Sequence, residues 1–310
     1  MKFICLTINN KEVIFESPNF VTIDIDKQAP ADSMTVTFEC NERVDEIKEI
    51  KAYIEDDLIF NGIIDEQQFI IMNSGIFLKL YIRSKAGLLL DNEALPQIYN
   101  FATLNTIFER HIKPYGFIGI EGNKDTMIEK LSVTKGMSEW DVLNNFCAVV
   151  LGITPRVTVD GYIDLTDPEL DDILYINEKN SKICNYLAKE KIKRCDQISQ
   201  SYVRVHKGGA YDGLVSNEEA ISKGIVRKRY VNIVDNNKMT MQYVENQVEK
   251  SNKDSYELNL TLNGYIKVRL GTRVEIDNKV LGNVKNLIVD KIRYTLNPES
   301  DFTELTLRRM

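Results

Sequence analysis

Residues 256–310 constrain the fold more than any other stretch. Apolar and polar residues alternate there, at Leu258, Leu260 and Leu262, at Val274 and Ile276, and at Leu305 and Leu307. Period-two alternation puts one set of side chains on each face of a strand. Asn263-Gly264, Asp277-Asn278, Gly282-Asn283 and Asn297-Pro298 separate the runs and are turn formers. The pattern predicts roughly four or five antiparallel strands, spaced as in a barrel or a sandwich. Within it, Gly271 leads into a strand over 272–276, residues 286–296 read as one long strand, and 303–308 as the last.

At 310 residues the chain has room for two or three domains, each with its own core. Its 43% hydrophobic and 27% charged content is that of a soluble globular protein. A net charge of -7 argues against gripping nucleic acid by its phosphates, though not against a negatively lined pore. No apolar run approaches a membrane span, and residues 1–7 turn polar too soon for a signal peptide. Cys5, Cys40, Cys147, Cys184 and Cys195 form no CxxC pair, so reduced, mostly buried thiols in a cytosol are expected.

Residues 1–86 are strand-rich. Residues 3–8, an Asn9-Asn10 turn and 12–15 predict an opening hairpin. Residues 21–26 and 34–38 alternate, with a polar, proline-containing loop between them. Residues 52–55, 58–60 and 61–65 predict a tight hairpin and an outgoing strand, and 60–65 also read as a glycine-centred hairpin before a long strand, matched within residues 256–310 by Leu281-Gly282-Asn283 and 287–290. A strand over 69–72, an Asn73-Ser74-Gly75 turn and a strand over 76–83 complete a small antiparallel barrel, with another barrel or a sandwich as the alternative.

Residues 87–185 change character. Residues 84–91 predict a short helical or irregular segment. A helix over 103–112 is predicted from Leu104, Ile107, Phe108 and Ile112, ended by Pro114 and Gly116. Ser138 caps a second helix, with Glu139 and Asp141 in its first turn and Trp140, Leu143, Phe146, Cys147 and Val150 on its apolar face. Gly152 ends it. Asp160-Gly161 marks a hairpin over 154–165. Residues 186–310 form a third part. A strand is predicted over 191–205, a loop over 207–213, and helices over 217–223 and 240–253. The helices form an insertion at about 210–255 that interrupts a second barrel, which resumes at Tyr256. The fold class is thus β-rich α+β: two tube-like antiparallel β-barrels (1–86 and 186–310), a small α+β domain (87–185), and a helical insertion in the second barrel.

The order "Gly271-x-x-Val274-x-Ile276, a short hairpin, Leu287 to Leu296, a polar turn, Thr303-Glu304-Leu305-Thr306-Leu307" resembles the C-terminal barrel of baseplate hub proteins. These serve contractile phage tails, R-type tailocins and related injection machines, and include the late control protein D family and the hub part of type VI spike proteins. Phe60-Asn61-Gly62-Ile63-Ile64-Asp65 with the strand after it is similar to the first hub barrel. Gly136-Met137-Ser138-Glu139-Trp140-Asp141, followed by Pro155 and Asp160-Gly161, is similar to the segment where a hub helix packs on a hairpin. The resemblance implies a homotrimeric ring whose six related barrels meet a hexameric tail tube or a tube-initiator protein. Its other face would meet a three-fold central spike, with other baseplate proteins around it. It implies assembly in the bacterial cytoplasm, then residence in a virion or tailocin particle, with no membrane insertion and no specific nucleic-acid binding.

Reaction chemistry is not expected, and no catalytic, cofactor-binding or metal-binding residue is assigned. His111 and His206 are far apart and outside any ligand-spaced cluster. No GxSxG, Walker loop or dinucleotide fingerprint occurs. Lys207-Gly208-Gly209 lacks the serine or threonine of a phosphate loop. Glu55-Asp56-Asp57 and the acidic run 167–172 read as solvated surface, the latter lacking the glycine and terminal glutamate of an EF-hand. Arg227, Lys228 and Arg229 read as rim or interface charge. A hub competes with a β-rich tail-associated hydrolase or carbohydrate-binding module, and with a tail adaptor or distal-tail protein.

Overall fold

The computed structural model describes the chain except residues 28, 123–124, 167–172, 178–185, 205–208 and 233–236. His206, Cys184, the acidic run 167–172 and the Lys207-Gly208 pair therefore lie outside the described residues. The chain divides into two units. One comprises Met1–Asp171, Asn263–Gly271 and Asp290–Glu304; the other Asp172–Leu262, Thr272–Val289 and Leu305–Met310.

The first unit opens with β1 (Lys2–Thr7) and β2 (Glu12–Phe15), β3 (Pro18–Asp26) and β4 (Ser33–Cys40), then β5 (Ile47–Ile54), β6 (Asp57–Met72) and β7 (Gly75–Ser84). The order is β3-β4-β7-β6-β5-β1-β2, antiparallel throughout. Alternation dictates which side is buried. In β4, Met34, Val36 and Phe38 point inward while Thr35 and Thr37 remain half-buried. They join Phe3, Val21, Ile50, Leu78 and Leu80 in one core. Phe15 stacks on Phe38 at 4.2 Å and Phe3 meets it edge-on at 5.1 Å, aromatic geometries that add to burial itself.

The tight hairpin read over 52–60 with its outgoing strand forms as expected, and Gly62 corrects only the glycine-centred hairpin read over 60–65. It is no turn residue but sits inside the continuous strand β6, paired with Ser84 of β7 and Ile50 of β5. The β5–β6 turn falls earlier, at Glu55, whose φ is 54°. A Cβ on Gly62 would lie 2.3 Å from the Arg83 carbonyl oxygen, so glycine is there for closeness of approach.

The rest of this unit is an α+β layer with its own core. It contains α1 (Ala86–Asp91), β8 (Gln97–Thr103), α2 (Leu104–Ile107) running into a π turn at Phe108–Ile112, β9 (Gly119–Glu121), β10 (Met127–Val133), α3 (Glu139–Val150), β11 (Arg156–Val157) and β12 (Tyr162–Asp164). Thr103 caps α2, and Gly116 at φ 85° ends the helical stretch after Pro114. Ser138 forms the expected capping box with Asp141. Trp140, Leu143, Phe146 and Cys147 are buried, Val150 half-buried. The Asp160-Gly161 hairpin forms, with Gly161 at φ 88°. Strands β8, β9 and β10 carry no strict alternation and were missed.

The second unit contains β13 (Ile173–Asn177), β14 (Tyr186–Ile192), β15 (Gln200–Arg204), β16 (Gly213–Ser216), α4 (Glu218–Ser222), β17 (Lys228–Asn232), α5 (Asn237–Asp254), β18 (Tyr256–Asn263), β19 (Arg273–Asn278), β20 (Gly282–Leu296) and β21 (Asp301–Arg309). The second half of β20 and the start of β21 belong to the first unit. The predicted strand over 191–205 is instead two strands, broken at Lys193 by a 3-10 turn over Arg194–Asp196. From that break to Ser255 the chain forms a separate three-stranded sheet, β16-β15-β17, with α4 and α5. Beyond it, β18 pairs antiparallel with β14. The insertion thus starts at 193, earlier than expected. β13 runs parallel to β19, which an all-antiparallel barrel did not anticipate.

The strand order of the second unit is β14-β18-β21-β20-β19-β13. Read against β3-β4-β7-β6-β5-β1, each position is filled by the strand of corresponding rank along the chain. The insertion takes the place of the loop between β3 and β4. The β-rich α+β class and the large antiparallel sheets are as expected. Among the described residues, no pairing closes either path on itself.

Candidate functional site

His111 sits in the π turn, buried at 3% exposure. Its Nδ1 lies 2.5 Å from Glu139 Oε2 and its Nε2 2.8 Å from the Tyr99 hydroxyl. Tyr115 donates to the other Glu139 oxygen at 3.1 Å. Burial, and then the Glu139 carboxylate, push the Tyr115 phenol up, so it remains a donor. The capping geometry of α3 places Glu139 at the helix start, where the dipole favours its charge. Both ring nitrogens are engaged and enclosed. The arrangement ties β8, the π turn and α3 together.

The other singled-out residues do not converge. Asp57 pairs with Lys267 at 2.5 Å on the surface. Cys5 and Cys147 are buried free thiols that desolvation pushes up to about 12; desolvation also raises Cys40, whereas Cys195 is exposed. Such buried thiols are poor nucleophiles. Among the described residues, no three His, Cys, Asp or Glu side chains group to hold a metal. Beside Ser84 lies Asp32, whose carboxyl desolvation raises to about 7. It lines a small cleft with Phe60, Asn61, Lys85 and Val157–Val159, a placement no local sequence pattern signals.

What the structure offers instead is surface for assembly. β14 pairs with β18 on one side only among the described residues, with Leu187 74% and Ile192 69% exposed. Past Ile63, the β5 side of β6 has no strand partner among the described residues, and Ile71 is 80% exposed. Unpaired edges with exposed apolar side chains invite strand pairing with another chain.

A second surface lies on the inserted sheet. Gln200, Tyr202 and Arg204 of β15 share one face with Lys228, Tyr230 and Asn232 of β17 and with Leu214 and Ser216 of β16. Tyr202 and Tyr230 stack at 5.3 Å, and Tyr211 meets Tyr230 edge-on at 5.3 Å. The Arg204 guanidinium lies 4.6 Å over the Tyr211 ring and the Lys228 ammonium 5.7 Å over that of Tyr202. The period-two spacing of Tyr202 with Arg204, and of Lys228 with Tyr230, carried this signal in the sequence.

No protein-family model and no curated protein matches the chain. Solved structures do. The tail protein from Neisseria meningitidis MC58 superposes with a TM-score of 0.81 at 16% identity, over 99% of this chain and 96% of that one. The 43 kDa tail protein of prophage MuSo2 from Shewanella oneidensis gives 0.81 at 12% identity, over 100% and 98%. The chain has the fold of phage tail proteins. The E. coli c3393 protein, described as a type VI secretion component similar to T4 tail proteins gp27 and gp5, gives 0.63 at 8% identity, over 95% and 74%.

Proposed function

We propose that the chain is a structural hub of a phage-type tail or related injection machine. It acts as a trimeric adaptor between a hexameric tail tube and a trimeric central spike, and catalyses no reaction. The observation that carries this reading is the full-length likeness to two tail proteins, one of them from a prophage. The repeated strand order supports it: two like units per chain give a trimer six similar elements for a six-fold tube.

The repeat also suggests how the ring closes. In the first unit, the end of β20 pairs antiparallel with β3, Ile292 opposite Ile25 and Tyr294 opposite Ile23. By rank, β20 corresponds to β6 and β3 to β14. The matching pairing would join the far half of β6 in one copy to β14 in the next, two edges without a strand partner among the described residues. Such a head-to-tail contact, repeated, gives a closed ring.

Light scattering and electron microscopy of the chain with its spike and tube proteins test this. A three-fold ring with β6 of one copy against β14 of its neighbour is the expected result. A stable monomer at high concentration with the spike present refutes it. A cell-wall-cleaving activity lost on replacing one residue in a still-folded chain would favour a tail-associated hydrolase.

A further inference from the structure

We propose that the outer face of the β16-β15-β17 sheet docks an extended acidic segment of a partner protein. The opposite face is already covered: Ser201 and Val203 point inward, as do Val244 and Val248 of α5. Ile198 N donates to Ser251 Oγ at 3.1 Å, fixing helix to sheet. The outer face has no cover of this kind among the described residues; Tyr230 is 64% exposed and Leu214, on the far side of Tyr202, is 48% exposed.

Charge identifies the occupant. Acids outnumber bases in this chain, 46 to 39, and Lys191 and Lys193 share the Glu257 carboxylate on a neighbouring strand pair. Arg204 and Lys228 have none among the described residues, and Arg204 Nε is shielded from solvent with no acceptor. A shielded guanidinium donor without an acceptor is costly. A partner's carboxylate on this face would leave that nitrogen untouched but can take the terminal N–H groups of the same guanidinium in charge-assisted bonds. Asp212, next to Tyr211, is the nearest acid in sequence on this face, and it is solvent-exposed.

Ring geometry excludes a stacking ligand. Single-stranded nucleic acids and sugars need free aromatic faces. Here the Tyr202 and Tyr230 faces cover each other, and Lys228 and Arg204 sit over Tyr202 and Tyr211. The Tyr211 and Tyr202 hydroxyls are engaged by Asn232 and Gln200, so the surface presents two cations around the exposed edge of Tyr230 rather than a row of open ring faces. Lys228 is level with Gln200, four residues from Arg204 along the sheet, or about 13 Å at strand rise. An extended peptide lying across the outer face with acids at positions i and i+4 matches that spacing.

The test is fluorescence anisotropy with the full chain and a labelled peptide, Gly-Ser-Glu-Thr-Val-Thr-Glu-Ser-Gly. Controls are the same peptide with both Glu changed to Gln, and a twelve-residue oligo-dT. Expected are saturable binding of the acidic peptide, at least tenfold weaker binding of the Gln control, and affinity that falls with salt. Lys228→Glu, at an exposed position, should weaken the acidic peptide at least tenfold with an unchanged melting temperature, while Lys228→Arg retains it. Equal binding of both peptides, no binding at millimolar peptide, or preferential binding of oligo-dT overturns the proposal, the last in favour of a nucleic-acid surface. None of these outcomes depends on ring formation, so the hub reading stands or falls separately.

Discussion

Replacing Gly62 by alanine tests the packing of β6 directly. On propensity alone alanine should help, since glycine in a strand interior costs about 0.5–1 kcal/mol. The structure says the opposite. The new Cβ would meet the Arg83 carbonyl oxygen at 2.3 Å, the Phe60 ring at 2.7 Å and Ile82 Cγ2 at 2.8 Å. Ordinary carbon–oxygen contacts begin near about 3.3 Å, so β6 and β7 must part by roughly 1 Å. Neither strand is free to give. Ser84 N donates to the Asp32 carbonyl at 2.8 Å, and Arg83 is held by Asp65 at 2.5 Å and Asp91 at 2.7 Å. Overpacking of this kind costs about 1–3 kcal/mol, and with a clash this short the upper part of that range applies, leaving a net loss of about 1–2.5 kcal/mol after the propensity gain. For a unit of this size that is a fall of about 2–4 °C in Tm per kcal/mol. The single tryptophan, Trp140, lies in the same unit, so its fluorescence during urea unfolding reads that unit alone. A Gly62→Ala chain as stable as the parent, or more so, would refute the in-strand account and restore a turn at this position.

His111→Ala should lose about 2–4 kcal/mol by orphaning Glu139 in a buried setting, while chains that remain folded still assemble; an assembly defect in a folded variant would contradict the structural role. Asp32 gives a pH signature. Its folded-state value, about 7, lies above the ordinary carboxyl range, so the folded state binds the extra proton and stability falls as pH rises from about 4 to 7. Asp32→Asn should remove that slope and stabilise the chain at pH 8 by at most about 4 kcal/mol, less given partial solvent access; a pH-independent difference in urea midpoints would count against it. In thiol labelling followed by peptide mass analysis, Cys195 should react within minutes, and Cys5 and Cys147 only on unfolding; rapid labelling of Cys147 would show that the α3 core opens. Ser138→Ala should cost about 1 kcal/mol through loss of the α3 cap, measurable by thermal melting.

Signals confined to a few residues were legible in the sequence. The Ser138 cap works through one side chain and a backbone group three residues on. The Asp160-Gly161 turn works because glycine reaches φ 88° at no steric cost. Alternation marked β3, β4, β18, β19 and β21, whose inward positions Val21, Val36, Leu260, Val274 and Leu307 are buried. What was missed depends on distant partners. β14 and β15 read as one strand because both are polar-rich, and only pairing with β18 on one side and with β16 and β17 on the other separates them. The edges of β6 and β14 were invisible because an unpaired edge is a property of the sheet, not of the strand. The tyrosine and cation face required three strands to be aligned before its alternation had meaning.

The internal repeat shows how such a signal can survive without sequence likeness. The two halves were matched on glycine-centred hairpins, and those are not equivalent. Gly282 sits at a turn with φ 74° and open space where a Cβ would go, whereas Gly62 lies inside a strand against a carbonyl oxygen. The strand order nonetheless corresponds position by position. Order is set by which edges remain open once the hairpins β6–β7 and β20–β21 have formed, and many sequences satisfy that condition provided one face of each strand is apolar. Local glycines are then free to change role between the copies, one serving a turn and the other a close approach. What must be kept is the pattern of edges. β3 in the first unit has its edge covered by the end of β20, while β14 has no such cover among the described residues. A duplicated unit whose two edges are treated differently leaves one acceptor and one donor per chain, and that asymmetry permits closure through copies of the same chain rather than through pairing within it.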